Sequence, residues 1–272
     1  MNSGPEDLNG GTHRVMFKCY GVCKSYPTRN GALAVLDNVT FQVYEQEFVC
    51  VVGPSGCGKT TLLKMIAGLL KPSSGTLDFN RPPPDGRPRA AMVFQDHGLF
   101  PWMTLIENVA FGLEMQGVAK RERMDRSRAF VDKVGLTPFA GSYPHELSVG
   151  MRQRVGIARS FVTDSPVLLM DEPLSSVDAQ TRRLVQEEIL RLWRDHRKSV
   201  IYITHDIEEA VVLGDRLLVM SGRPSRIREE IPIRLDRPRD LSINGSKEMA
   251  AIMHHVWEIL EDEVRKTLWI PK

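Results

Sequence analysis

An apolar run that leads directly into a glycine-rich turn and a helix restricts the possible folds more than any other feature of this chain. The run is Phe48–Val52, which is typical of a strand covered on both faces in a parallel sheet. The turn and the start of the helix consist of Gly53, Pro54, Ser55, Gly56, Cys57, Gly58, Lys59, Thr60 and Thr61. Glycines allow backbone N–H groups to converge on phosphate oxygens, and a helix N-terminus adds partial positive charge. The pattern therefore predicts a strand, a phosphate-binding loop and a helix in succession.

Further apolar runs alternate with helical patterns, which predicts an α/β layered core. The other predicted buried strands are Ala90–Phe94, Val167–Met170, Val200–Ile203 and Leu217–Met220. The predicted core helices are Thr60–Leu70, Thr181–His196 and Ile207–Leu213. Residues 14–20 and 38–44 alternate apolar and polar side chains, which favours half-buried antiparallel strands. From about residue 96 to residue 164 the patterns are helical, so we expect a helical insertion between two strands.

Candidate phosphate-binding and metal-binding residues follow two of the predicted strands. In the glycine-rich segment, Lys59 can neutralise the β- and γ-phosphates of a nucleotide, and the Thr60 hydroxyl can ligate Mg²⁺. The strand Val167–Met170 runs into Asp171 and Glu172. We expect Asp171 to share the Mg²⁺ with Thr60, and Glu172 is the candidate base for an attacking water.

Composition excludes several classes of protein. Hydrophobic residues make up 42% and charged residues 26%, which rules out wholesale disorder. The formal net charge of +2 is low for a protein that binds nucleic acid through bulk positive charge, so we expect no nucleic-acid partner. No apolar run approaches the roughly 18 residues that span a bilayer. Residues 1–13 have the composition of a loose tail without a signal sequence, and the 4 cysteines fit no disulfide framework. We therefore expect a reduced, intracellular, soluble protein.

A further motif resembles a known family. Leu147-Ser148-Val149-Gly150-Met151-Arg152-Gln153-Arg154 is similar to the signature of ATP-binding-cassette (ABC) ATPases. Gln95 matches that family's Q-loop, Ser175–Asp178 its D-loop, His205 its switch histidine and Tyr26 its adenine-stacking aromatic residue. The resemblance implies a P-loop NTPase (RecA-like) core with an antiparallel β subdomain and an inserted α-helical subdomain.

The same resemblance implies a division of the chain and a role for each motif. The expected divisions are a flexible tail at 1–13, an ABC ATPase domain at 14–230 with its helical subdomain at about 96–164, and a C-terminal extension at 231–272. ATP and Mg²⁺ would be bound, Glu172 would be the catalytic base, and His205 would contact the γ-phosphate. Gln95 would ligate the Mg²⁺ and sense the attacking water.

The signature motif acts between subunits in this family. Ser148, Gly150 and the D-loop residue Asp178 would therefore close over nucleotide held by a second copy, which implies a homodimer with ATP sandwiched in its interface. This chain has Val149 and Met151 where the family usually has Gly and Gln. We expect activity to survive this departure, with weaker closure.

Several features resemble importer ATPases for nitrate, sulfonate and taurine. Phe100 and Trp102 follow the Q-loop, and we expect them either to dock on an integral-membrane permease or to fold back into the helical subdomain. The chain would then lie peripherally on the cytoplasmic face of the inner membrane. It would energise uptake of a small anion that a periplasmic or lipoprotein solute-binding protein delivers. The alternatives are a soluble ABC ATPase that acts on a non-membrane partner, a phosphoryl-transfer kinase, and an exporter.

The C-terminal segment predicts one amphipathic helix over Lys247–Leu268. Its apolar stripe consists of Met249, Ile252, Val256, Leu260 and Val264, and its polar side carries Glu258, Glu261, Asp262 and Glu263. The stripe must be buried, either on the same chain or against a second subunit. The acidic side argues against membrane binding. We expect a packing role without an effector site.

Overall fold

The computed structural model describes residues 14–29, 31–80, 88–95, 98–237, 239 and 246–268, with the backbone alone for 264 and 266–268. The predicted tail at 1–13 lies outside the described residues. The strands are β1 (Val15–Thr28), β2 (Gly31–Tyr44), β3 (Phe48–Val52), β4 (Ser74–Phe79), β5 (Ala90–Val93), β6 (Val167–Asp171), β7 (Ser199–Ile203), β8 (Arg216–Met220) and β9 (Ile227–Pro232). The α-helices are α1 (Lys59–Ile66), α2 (Leu105–Met115), α3 (Lys120–Lys133), α4 (Val149–Phe161), α5 (Ala179–His196), α6 (Ile207–Leu213) and α7 (Lys247–Leu268).

Across the described ranges, the strands form two sheets. One is a three-stranded antiparallel sheet in the order β2-β1-β4. The other is six-stranded, in the order β5-β6-β7-β3-β8-β9, and its pairs are parallel except for β8 with β9. The α/β core with an added antiparallel sheet that the sequence predicts is confirmed.

The central strands of the large sheet are buried on both faces, which explains their continuous apolar runs. Every residue of β3, β6, β7 and β8 is buried. One apolar cluster lies between this sheet and the helices, where Phe48 packs edge-on against Trp193 at 5.7 Å between ring centroids. A second cluster joins the two sheets and α1. The loop between β3 and α1 therefore has packed structure on either side.

Helices α2, α3 and α4 lie between β5 and β6 in the chain and pack on one another. A capping box starts α2: the Thr104 Oγ1 accepts from the Glu107 backbone N–H, and the Glu107 carboxylate accepts from the Thr104 N–H at 2.8 Å. Two short 3₁₀ turns, Thr137–Phe139 and Pro144–Glu146, lead into α4.

Helix α7 packs on its own chain, which is one of the two alternatives left by the sequence. Val256 is fully buried and Met249 is 2% exposed, whereas Trp257 is 59% exposed. Arg239, which precedes α7 in the chain, is buried and donates to the carbonyl oxygens of Val211 at 2.8 Å and Ile233 at 3.2 Å. Burial lowers the pKa of Arg239 to about 10.

The structure differs from the sequence predictions in two strands and one boundary. Strands β4 and β9 were not expected from the pattern, and both carry mostly exposed residues. The boundary predicted between residues 230 and 231 falls inside β9, whose pairing with β8 makes that strand part of the large sheet. Helix α4 begins at Val149, so Gly150 lies in its first turn. Among the helices that the structure describes, none is long and apolar enough to cross a membrane.

Candidate functional site

The glycine-rich loop, residues 53–58, passes close to neighbouring strands at its glycines. A Cβ on Gly53 would lie 3.0 Å from the Cβ of Met220, the last residue of β8. Gly58 has φ +115°, and a Cβ there would lie 2.8 Å from the Cγ1 of Val35 on β2. Lack of space for a side chain therefore requires glycine at both positions, and at Gly58 the backbone conformation requires it as well.

Lys59 places its positive charge beneath this loop. The side chain is 6% exposed, and its Nζ donates to the carbonyl oxygens of Gly53 at 2.8 Å and Pro54 at 3.0 Å. The ammonium group is thus held at the loop by the loop's own backbone. A cation enclosed by a glycine loop at the start of a helix forms an anion-binding site of the kind that the sequence predicts.

The end of β6 brings a carboxylate to the same place. The Thr60 Oγ1 donates to the Asp171 Oδ1 at 3.1 Å, although the two residues lie 111 positions apart in the chain. Burial raises the pKa of Asp171 above its usual range, and the hydrogen bond from Thr60 partly opposes that rise. A hydroxyl and a carboxylate oxygen at this distance are the donor types that Mg²⁺ prefers when phosphate supplies the remaining ligands. The donor set therefore fits the predicted ion.

Glu172 occupies a constrained position immediately after β6. Its φ is +45°, a left-handed conformation that non-glycine residues seldom adopt and that recurs at functional sites. The backbone N–H of Glu172 donates to the Ile203 carbonyl at 3.0 Å, which ties it to the end of β7. Its Oε2 lies 3.0 Å from the Nδ1 of His205, and this histidine is 60% exposed. The fold thus sets the predicted base and the predicted switch histidine in direct contact.

Gln95 lies two residues after β5, and Tyr26 lies on β1. In the large sheet, Val93 of β5 pairs with Met170 of β6, so the exposed Gln95 leaves the sheet at the same edge as Glu172. Tyr26 lies on β1, half-buried, with the Nζ of Lys24 at 5.2 Å from the centre of its ring.

The predicted signature and D-loop residues form a separate group at the starts of α4 and α5. The Ser148 hydroxyl caps α4 by accepting from the Met151 N–H at 3.2 Å. Asp178 caps α5 by accepting from the Thr181 N–H at 3.0 Å, and that bond holds its pKa below the usual range. A Cβ on Gly150 would lie 2.9 Å from the Thr181 Cγ2, so glycine allows the two helix starts to approach. Both starts present positively polarised amides.

Two charged residues near Glu172 escaped the sequence predictions. Arg182 of α5 pairs with Asp206 at 3.3 Å, and both line a small cavity together with Glu172 and His205. No local sequence pattern indicates this contact, because it joins α5 to the residue before α6. Arg223, which follows β8, also reaches the glycine-rich loop, where it contacts Gly56.

Of the two aromatic residues predicted either to dock on a permease or to fold back, one folds back and the other is exposed. Phe100 folds back, with its ring centroid 4.5 Å from that of Phe111. Trp102 is 70% exposed, although its ring centroid is only 5.5 Å from that of Phe100. A large indole supported from below and open to solvent is typical of an interface anchor.

Comparisons with known proteins agree with this geometry. A sequence model of the family described as "ABC transporter" matches residues 36–175. The nitrate import ATP-binding protein NrtD of Synechocystis sp. is 47% identical over 209 residues, which cover 76% of this chain and 78% of that protein. The taurine import ATP-binding protein TauB of Rhizobium johnstonii is 50% identical over 194 residues, 71% and 74% of the two chains. A solved dimer of the ATP-binding cassette MJ0796 in a post-hydrolysis state, bound to ADP and Pi, has a TM-score of 0.71 at 31% identity and covers 81% of this chain and 100% of that one.

Proposed function

The chain belongs to the ABC transporter family and is an ATP-hydrolysing cassette of the import type, and we propose that it energises the uptake of a small anion through separate membrane subunits. The observation that carries the chemistry is the convergence of two pairs. Thr60 lies 3.1 Å from Asp171 at the glycine-rich loop, and Glu172 lies 3.0 Å from His205 beside them.

The proposed division of labour follows from these positions. Lys59 and the loop amides bind the phosphates of ATP, while Tyr26 stacks on the adenine. Thr60 and Asp171, with Gln95 at the same edge, would hold Mg²⁺. When bound, that ion neutralises charge on the β- and γ-phosphates.

Proton transfer is assigned to Glu172. Its carboxylate accepts the proton of the attacking water, which converts water into a stronger nucleophile toward the γ-phosphorus. His205 orients that carboxylate through the 3.0 Å contact and stands exposed enough to reach the γ-phosphate. The backbone hydrogen bond from Glu172 to β7 fixes the position from which the carboxylate extends.

We further propose a homodimer that closes over ATP. Ser148, Gly150 and Asp178 lie at the starts of α4 and α5, where they would complete the site of a second copy. The dimeric state of the related cassette bound to ADP and Pi supports this assignment.

The transported substrate class rests on the relatives. One is named for nitrate and another for taurine, and both substrates carry a small oxyanion group. On this proposal the chain sits peripherally on the cytoplasmic face of the membrane, with Trp102 docked on the permease and Phe100 supporting it. The solute-binding protein would be reached only through the permease. Action on a non-membrane partner is disfavoured by the names of both relatives.

The test of the site is Glu172→Gln, which preserves shape but removes the proton acceptor. We expect ATP hydrolysis to fall by about 10²–10⁴-fold, with ATP binding retained and an ATP-bound dimer accumulating. Hydrolysis is measured by phosphate release and the dimer by size-exclusion chromatography with light scattering. Glu187→Gln, which removes an exposed carboxylate from α5, is the matched control and should behave as the wild type. Hydrolysis by the Glu172→Gln variant at the wild-type rate would show that another group is the base.

A further inference from the structure

The glycine-rich loop lies against the connection between β8 and β9, residues 221–226, in addition to its contacts with strands. Arg223 in this connection donates from its Nη2 to the Gly56 carbonyl at 2.9 Å. Gly56 has φ +73°, and a Cβ there would lie 3.3 Å from the same Nη2. The arginine is therefore in direct contact with the tip of the loop.

The hydrogen bond from Arg223 to the Gly56 carbonyl also fixes the orientation of the neighbouring Cys57 N–H. The Gly56 carbonyl and the Cys57 N–H belong to one planar trans peptide unit, so they point in opposite directions. Holding the carbonyl outward, toward Arg223, holds the Cys57 N–H on the inner side, where it donates to the Pro54 carbonyl at 3.3 Å. Without the bond, only the Cys57–Pro54 hydrogen bond opposes rotation of this peptide unit, which is bounded by glycine. Arg223 thus restricts one of the amides that a phosphate would meet.

The connection is itself rigidly held, which makes the position of Arg223 effective although the side chain is exposed. Ser225 is fully buried, and its backbone N–H donates to the Val35 carbonyl at 2.9 Å while its carbonyl accepts from Asp37 at 2.9 Å. Its hydroxyl donates to the Ser221 carbonyl at 2.6 Å. The connection is therefore hydrogen-bonded to β2, the strand that packs against Gly58.

The C-terminal helix completes the support. Glu263 of α7 is 7% exposed, and its carboxylate accepts from the Gly222 N–H at 3.0 Å. Arg228 on β9 lies 3.7 Å from the same carboxylate. A buried carboxylate thus fixes the residue directly before Arg223, and it comes from a helix that the sequence assigned only to packing.

We propose that Arg223 is a positioning residue for the phosphate loop, and that Glu263 of α7 acts through Gly222 and Arg223, so that the C-terminal helix sets nucleotide affinity. This inference rests on the proposed function, because it requires that the loop bind ATP. Its chemistry is preorganisation: a loop held in one conformation loses less entropy when nucleotide binds.

The experiment compares KM and kcat for ATP in the full-length chain, together with the dissociation constant for ATP by calorimetry. Arg223→Ala should raise KM and the dissociation constant by about three- to tenfold and change kcat by less than about twofold, since the lost bond acts on binding in the ground and transition states alike. Arg223→Lys should recover part of the affinity because its ammonium retains a donor. Arg226→Ala is the matched control, since Arg226 is exposed on the same connection and pairs with Asp37 instead.

The contribution of α7 is tested in the same assay. Glu263→Ala should raise KM by about two- to threefold, and Glu263→Gln, which keeps an acceptor oxygen, should raise it less. The exposed Glu261→Ala on the same helix should leave KM unchanged. Because Glu263 acts through Arg223, the double variant should match Arg223→Ala instead of adding the two effects.

The outcomes separate this inference from the proposed function. A wild-type chain that neither binds nor hydrolyses ATP would refute the function. An active wild type with an unchanged KM in Arg223→Ala, or with a loss confined to kcat, would overturn the positioning role of Arg223. Additive effects in the double variant would overturn the link to α7. If thermal unfolding showed that Arg223→Ala does not fold, the KM of Arg223→Lys would decide. Wild-type KM values for both Arg223→Lys and Glu263→Ala would then count against the proposal.

Discussion

Val256→Ala tests whether α7 is an integral part of the folded cassette. Val256 is fully buried in the cluster that α7 shares with the large sheet and its helices. The substitution removes two methyl groups, which contribute about 0.8 kcal/mol each by transfer alone. The cavity left behind adds about 0.5–1 kcal/mol, and the better helix propensity of alanine returns about 0.6 kcal/mol.

The net loss is therefore about 2 kcal/mol in the free energy of unfolding. For a chain of this size that corresponds to a fall of about 4–8 °C in Tm. Differential scanning calorimetry measures the shift, and amide hydrogen exchange within α7 reports whether the helix opens before the rest. Both Tm and the protection of α7 should fall.

Trp257→Ala provides the control one position along the helix. This indole is larger than the valine but 59% exposed, so its removal should cost less than about 0.5 kcal/mol. A wild-type Tm and wild-type protection in Val256→Ala would refute the packing described for α7. So would a larger effect from Trp257→Ala, since it would mean that the helix docks by a different face.

Two further predictions concern docking and pH. Trp102→Ala should weaken assembly with the permease by about 30-fold or more, while the ATPase activity of the isolated chain is retained. Phe139→Ala, which trims another exposed aromatic side chain, should leave assembly unchanged. Normal recovery of the complex with Trp102→Ala in a pull-down would assign Trp102 a different role. Burial raises the pKa of Glu209, so the folded state holds that proton more tightly than the unfolded state, and stability should fall as pH rises through the raised pKa. Glu209→Gln should remove this part of the pH dependence of Tm above the usual carboxyl range, and identical slopes in both proteins would contradict the assignment.

The sequence predicted the buried strands well because the burial of these strands leaves a local signature. The run Phe48–Val52 coincides with β3, whose residues are all buried. Strand β9 left no such signature, since it lies at the edge of the sheet and carries charged side chains, which protect edges from unwanted pairing. Strand β1 was predicted too short because register shifts interrupt its alternation of apolar and polar residues.

The site shows the same division between local and distant information. The Thr60–Asp171 and Glu172–His205 contacts agree with motifs that each occupy a few adjacent residues. The contact of Arg223 with Gly56 spans 167 positions and involves a backbone carbonyl, so no side-chain pattern marks it. Glu263 likewise belongs to an acidic helical face whose solvated appearance in the sequence hides one buried carboxylate.

The placement of β3 in the large sheet has a consequence for synthesis of the chain. Its hydrogen-bonding neighbours are β7 and β8, and Phe48 pairs with Val200 and Val49 with Arg216. At about 5–20 residues per second, a ribosome needs about 10–30 s to proceed from β3 to its partners. During that interval the glycine-rich motif is outside the ribosome. The strand that precedes it has two unpaired edges and uncovered apolar faces. ATP capture therefore begins only after β8 has emerged, and until then the nascent chain depends on local structure or on a chaperone to keep β3 from pairing elsewhere.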